Sequence, residues 1–124
     1  MNTAPPVHNC DLALLETILS EHGDWLHARD IALHPRWLEA HPHLEGTREN
    51  WLAQQERKIR ATASASAGSI LSFSGSPGYR LRLAATAEEI QTAIAKLKHQ
   101  GAEMMNRARA IETFGQQNAQ LTLH

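Results

Sequence analysis

Apolar residues recur along this chain at two different rhythms, and each rhythm predicts a different kind of element. In "DLALLETILSEHG", Leu12, Leu15, Ile18 and Leu19 repeat at three and four, the period of a helix with one buried face; Asp11 is placed to cap it and Gly23 to end it. "DWLHARDIALHP" predicts a short extended piece at Trp25 and Leu26, then a second short helix started by His27 or a neighbour, running through Ile31 and limited by Pro35. One helical turn fits residues 36 to 40 of "RWLEAHPHLEG" before Pro42 and Gly46, and the segment as a whole reads as a connection. Thr47 then caps a long third helix over "TRENWLAQQERKIRATASASAG", ended by Gly68, with Trp51, Leu52, Ile59 and Ala63 facing inward.

The rhythm changes to alternation in "GSILSFSGSPGYRLRL". Leu71 and Phe73 share one face of a strand, as do Tyr79, Leu81 and Leu83, and between them Pro77 and Gly78 suit the central positions of a turn. The predicted hairpin has one apolar face, and its other face carries Ser72, Ser74, Arg80 and Arg82, so both arginines are expected to point away from the core. A lone hairpin is marginal in water, so this one must lie on the helices, with the piece at Trp25 available to pair with it.

Helical spacing returns in "TAEEIQTAIAKLKHQGAEMMNRARAIETFG", which opens with a capping box between Thr86 and Glu89. Its stripe of Ile90, Ile94, Leu97, Gly101, Met104, Ala108 and Ile111 alternates steps of four and three, as a heptad seam does. A helix over residues 86–114 spans about 40 Å, longer than so small a core can cover. A homodimer through Ile90, Ile94, Leu97, Met104, Ala108 and Ile111 is therefore expected. Packing of the stripe on its own domain is the alternative, since Gly101 and Ala108 weaken a coiled-coil seam. Residues 1–10, with Pro5 and Pro6, read as a loose arm, and residues 115–124 as a polar tail.

The predicted fold is mostly α with a small β-hairpin. Helix, short strand, two helices and hairpin follow the order of a winged helix-turn-helix over residues 11–85, with the long C-terminal helix after it. The length of 124 residues suits one domain, and 42% hydrophobic with 20% charged residues is ordinary for a soluble protein. The single Cys10 permits no internal disulfide and no zinc ribbon, which suits a reducing compartment. The start of the chain lacks the basic and apolar stretches of a signal peptide, and no run reaches the roughly 18 apolar residues of a membrane span. A cytoplasmic protein without a membrane partner is expected.

Net charge is −1, but the charges are unevenly placed. Residues 1–56 hold three arginines against nine acids, whereas residues 57–87 hold Arg57, Lys58, Arg60, Arg80 and Arg82 and no acid. Such polarity can create a local anion-binding field; solvated helix and strand faces explain it equally well.

The residues "QERKIRATASASAGSILSFSGSPGYRLRLAATAEEI" followed by "KLKHQGAEMMNRARAI" resemble a group of small phage and prophage winged helix-turn-helix proteins. In these a basic helix runs into a glycine, then a hairpin ending in Gly-Tyr-basic-Leu, a Thr-x-Glu-Glu turn and a long helix. The resemblance runs from Gln55 to Ile111, with a looser echo in "LLETILSEHGDWLHARDIA". Two departures stand out: residues 33–54 look like an insertion between the second and third helices, and "SFSGSPG" is longer than the usual tight wing turn. The resemblance implies a winged-helix fold and a phage-like origin, hence the host cytoplasm as the place of action, and bears on fold more than on function.

Read as a DNA reader, the third helix supplies Gln54, Gln55, Arg57, Lys58 and Arg60, because amide and guanidinium groups suit adenine and guanine edges and cations neutralise phosphate. Ser64 and Ser66 add hydrogen bonds to the backbone, and Arg80 and Arg82 hold phosphates from the wing. Double-stranded DNA is thus the expected partner. The alternative is a host protein, bound through the acidic first half, the 33–54 insertion and Trp37, which reads either as an exposed anchor or as core. His34, His41 and His43 lack the tight ligand pairs of structural zinc, so no metal or other cofactor is expected. "SGSPG" is not a nucleophile elbow, no phosphate-binding loop is present, and no catalytic residues are assigned.

Overall fold

The computed structural model describes residues 9–123, with side chains over 10–116. Five helices, α1 (Asn9–His22), α2 (Ala28–Ala32), α3 (Pro35–Ala40), α4 (Arg48–Ser64) and α5 (Ala87–Leu123), accompany two short strands, β1 (Ile70–Leu71) and β2 (Arg80–Leu81). The fold is mostly helical, with a small antiparallel sheet and a long C-terminal helix. Residues 1–8 of the expected arm lie outside the described part, and Asn9 and Cys10 already belong to α1.

Local chemistry sets most of the boundaries. His27 adopts extended dihedrals at the N-cap of α2, and the Thr47 hydroxyl accepts from the Asn50 amide at 3.2 Å to cap α4. The segment expected to be a connection is helical instead. Pro35 occupies its first turn, where a missing N–H costs nothing, and His34 Nδ1 accepts from the Arg36 amide at 3.1 Å. The predicted third helix is therefore the fourth. It ends at Ser64, earlier than expected, and the chain turns through two left-handed residues, Ala67 and Gly68.

Leu15, Ile18 and Leu19 of α1, Ile31 of α2, Trp37 of α3, and Leu52 and Ile59 of α4 make the centre of the core, joined by Trp51, Ala63, Ile70 and Tyr79. α2 lies along α4, and α1 packs on α3, α4 and β2. Two polar pairs lie in or beside this core. The buried Trp37 donates its indole N–H to Gln55 Oε1 at 3.0 Å. His41 stacks on Trp37 with centroids 4.3 Å apart and places Nε2 2.8 Å from Asp11 Oδ1. Asp11 is thus no N-cap: it lies inside α1 and ties that helix to the end of α3. Outside the core, Arg36 grips Glu21 through two hydrogen bonds of 2.6 and 2.8 Å, which pull the Glu21 carboxyl below its ordinary range.

In the sheet, Ile70 pairs with Leu81 and Leu71 with Arg80, and the expected third piece is present as a single bridge. Leu26 and Tyr79 exchange both backbone hydrogen bonds, at 2.9 and 2.8 Å, on the other side of the β2 strand from β1. Gly78 permits that approach, since a Cβ there would sit 2.4 Å from the Leu26 carbonyl oxygen. The tight reversal is made at Phe73–Ser76, not at Pro77–Gly78: the Ser76 amide bonds to the Phe73 carbonyl at 2.9 Å, and Gly75 takes φ +88°. After Leu81 the chain curls into a 3-10 turn, Arg82–Ala84, which swings Leu83 out to 91% exposure instead of keeping it on the strand's apolar face.

The capping box forms: the Thr86 amide donates to Glu89 Oε1 at 2.9 Å, and the Glu89 amide to Thr86 Oγ1 at 3.1 Å. Ala93 is buried and Ile90 half-buried, whereas every residue from Gly101 to Gln116 is exposed. The helix also runs through the expected polar tail to Leu123. That stretch has no proline, and Gln, Ala and Leu extend a helix readily, while a single Gly115 costs about 1 kcal/mol.

Candidate nucleic-acid interface

Helical geometry divides α4 into two faces. Trp51, Leu52, Gln55, Ile59, Thr62 and Ala63 point into the core. Opposite them runs a ridge of Asn50, Gln54, Arg57, Ala61 and Ser64, spaced four, three, four and three, all exposed except the half-buried Ala61. Two amides, one guanidinium and a hydroxyl line this ridge, and it carries no acid. Arg60 is exposed on its flank, and Lys58 is half-buried on the other. The acids of α4 lie off the ridge: Glu49 approaches Arg29 of α2 at 3.8 Å, and Glu56 is half-buried.

Gln55 leaves the list of expected DNA readers, because its side chain is 8% exposed and holds the Trp37 indole. Its spacing carried a signal, four residues after Trp51 and four before Ile59, that places it in the buried stripe. Asn50, by contrast, belongs to the ridge and was missed, although it stands four residues before Gln54 and seven before Arg57.

Arg80 also departs from expectation. Its side chain is only 13% exposed, and it donates to Asp24 Oδ1 at 2.9 Å, to the Ala84 carbonyl at 3.0 Å and to the Gly23 carbonyl at 3.4 Å, with Nε 3.3 Å from Glu89 Oε1. Glu89 accepts in addition the indole N–H of Trp25 at 2.8 Å. The outer face of the hairpin is therefore covered where Arg80 lies, and this arginine fastens β2 to the start of α5 instead of facing solvent. Arg82 remains exposed at the foot of the hairpin, beside Ala67, Gly68 and Ser69.

Between Arg60, on the flank of α4, and the hairpin lies an open cleft of about 430 Å³, walled also by His27, Ser72, Ser74, Ser76 and Tyr79 and reached by Leu97 and Gln100 of α5. Burial pushes the Tyr79 phenol above its ordinary range, and the nearby Arg60 guanidinium opposes that shift by its charge and a hydrogen bond. The cleft wall thus offers one permanent cation, an imidazole and several hydroxyls, a set that hydrogen-bonds anionic oxygen.

The remaining candidates are held apart. His34 caps α3, His41 pairs with Asp11, and His43 Nε2 lies 2.8 Å from the Gly46 carbonyl. Among the described residues no group of three or more His, Cys, Asp or Glu is arranged to hold a metal ion. Trp37 is fully buried and offers no anchor to a partner. Of the stripe on α5, Ile94, Leu97, Met104 and Ile111 are 40, 50, 59 and 71% exposed, and Ala108 is exposed as well. No helix among the described residues is long and apolar enough to cross a membrane. No family model, curated protein or solved structure matches this chain.

Proposed function

We propose that this protein is a non-enzymatic winged-helix DNA-binding protein, a regulator or accessory factor of phage or prophage origin acting in the host cytoplasm. It binds double-stranded DNA by laying α4 in the major groove and the hairpin along the flanking backbone, as a homodimer joined through α5. The observation that carries this reading is the acid-free ridge of Asn50, Gln54, Arg57 and Ser64, flanked by Arg60, on the face of α4 turned away from the core. Topology supports it: α1, the Leu26 bridge, α2, α4 and the hairpin follow winged-helix order, with Leu26 on the β2 side of the sheet and α3 inserted before α4. Arg60 and the hydroxyl-lined hairpin loop face one another across one cleft, so a backbone phosphate can be held where helix and wing meet.

Fluorescence anisotropy with random duplexes over a salt series tests the proposal. Affinity is expected to fall steeply with salt, by a log–log slope of about 0.9 per phosphate neutralised. Arg57→Glu with Arg60→Glu should abolish binding while leaving the fold intact, because both side chains are exposed. Arg57→Ala alone should cost about 1–3 kcal/mol if it reads a base. Absence of binding by the unaltered protein at low salt would defeat the reading.

A further inference from the structure

From Leu97 to Gly115 the exposed stripe of α5 alternates large and small residues. With Ile94 at the first core position of a heptad, the same position recurs at Gly101, Ala108 and Gly115, while the other core position holds Leu97, Met104 and Ile111. The large residues are 50, 59 and 71% exposed, and the space over Gly101 and Gly115 is open, with nothing within 4 Å of a Cβ built there. From Gly101 to Leu123 the helix extends about 34 Å. A partner can therefore bring its side chains down onto the backbone at the glycines and receive the large side chains in return.

The sizes on this stripe are complementary to themselves in one orientation only. In a parallel, in-register pair each core position faces its own copy, so layers of Gly on Gly and Ala on Ala would alternate with Met on Met and Ile on Ile. Such layers leave voids beside crowding. In an antiparallel pair the two core positions face one another, and every layer between Leu97 and Gly115 sets one small residue against one large. Laying Met104 on Ala108 of a second copy also sets Ile111 against Gly101 and Leu97 against Gly115. Charge does not choose between the orientations. The antiparallel pair brings Lys98 to Glu112 but Arg107 to its own copy, the parallel pair brings Arg107 to Glu112, and exposed pairs of this kind contribute little.

We propose that α5 pairs with α5 of a second copy of this chain in antiparallel orientation, an inference that rests on the dimer reading above and specifies its geometry. The two domains then stand at opposite ends of the paired helices, with their attachment points roughly 55 Å apart, farther than the ~34 Å of one DNA turn.

Two measurements on the full chain separate the failures. Sedimentation at rising concentration should show twice the 13.8 kDa chain mass; a monomer throughout would overturn both the dimer and this inference. A nitroxide at exposed Thr92, carried as Thr92→Cys in a Cys10→Ser background, then reports orientation by pulsed electron resonance. The expected distance is about 42 Å for the register above. A dimer showing a distance under about 30 Å would mean side-by-side parallel helices and would overturn the orientation alone.

Discussion

α1 and the distal half of α5 share the same rhythm and meet opposite fates. Leu15, Ile18 and Leu19 are no more than 1% exposed, whereas Met104, Met105, Ile111 and Phe114 are between 58 and 71% exposed. Propensity does not separate the two, since both segments are helical and both repeat apolar residues at three and four. The difference is what lies opposite: α1 packs on α3, α4 and β2, while α5 beyond Gly101 projects past the body. Periodicity identifies a face that has to be covered, and the rest of the chain decides whether it covers it.

The comparison is broken most severely at Trp37. Trp37→Ala removes a fully buried indole and strands Gln55 without its donor, so a loss of about 4 kcal/mol is expected in urea unfolding. A loss under about 1 kcal/mol would show that α3 is not part of the core. Next in size is the pair of hairpin arginines. Arg80→Ala leaves Asp24 and the Ala84 carbonyl without their donor, removes the cation beside Glu89, and should cost about 2 kcal/mol. Arg82→Ala, on an exposed side chain, should cost under about 0.5 kcal/mol and, under the proposed function, act on DNA affinity instead. If both cost the same, Arg80 does not fasten β2 to α5.

These residues also show what the sequence reveals and what it conceals. The Thr47 cap, the Thr86–Glu89 box, the inward faces of α1 and α4 and the strand piece at Leu26 were legible, because each depends on residues a few positions apart or on one repeated spacing. Alternation put Arg80 on the face opposite Tyr79 and Leu81, but the single apolar face it predicted does not form, because Leu71 pairs with Arg80 and shares its face. It could not show that the 23–24 loop and Glu89 lie over that face, a contact made between residues up to 57 positions apart. Asp11 failed likewise, since its partner His41 is 30 residues away. Of the expected interface, Gln54, Arg57, Arg60, Ser64 and Arg82 are exposed and Lys58 half-exposed, while Gln55, Arg80 and Ser66, which is buried and accepts from the Ile70 amide, serve the fold.

Glu89 sharpens the comparison at the joint between body and helix. The Thr86 backbone hydrogen bond, then the Trp25 indole, and more weakly the Arg80 charge, hold its carboxyl below the ordinary value of 4.5. The unfolded chain therefore takes up the proton first on acidification. The contribution is complete above that ordinary value and drains away as pH falls through the depressed one. Glu89→Gln should melt lower than the unaltered protein near neutrality, and the gap in Tm should close as the pH falls below the depressed value. A gap that stays constant with pH would mean that the charge of Glu89 does not secure the start of α5.

The smallest expected effect falls on the distal helix and separates a missing partner from a missing role. Ile111→Ala and Phe114→Ala each remove an apolar side chain comparable to those of the core, yet both sites are largely exposed. In dilute solution, where the chain is monomeric, each should change unfolding by less than about 0.5 kcal/mol. Association adds a concentration-dependent term to Tm, because a partner that binds only the folded chain stabilises it by mass action. Ile111→Ala, on the seam, should abolish that rise in Tm with concentration, and Phe114→Ala, one step off it, should only reduce it. Equal behaviour of the two would mean that the face covering α5 is centred away from the heptad stripe; a large loss in the dilute chain would mean that α5 folds back onto the body after all.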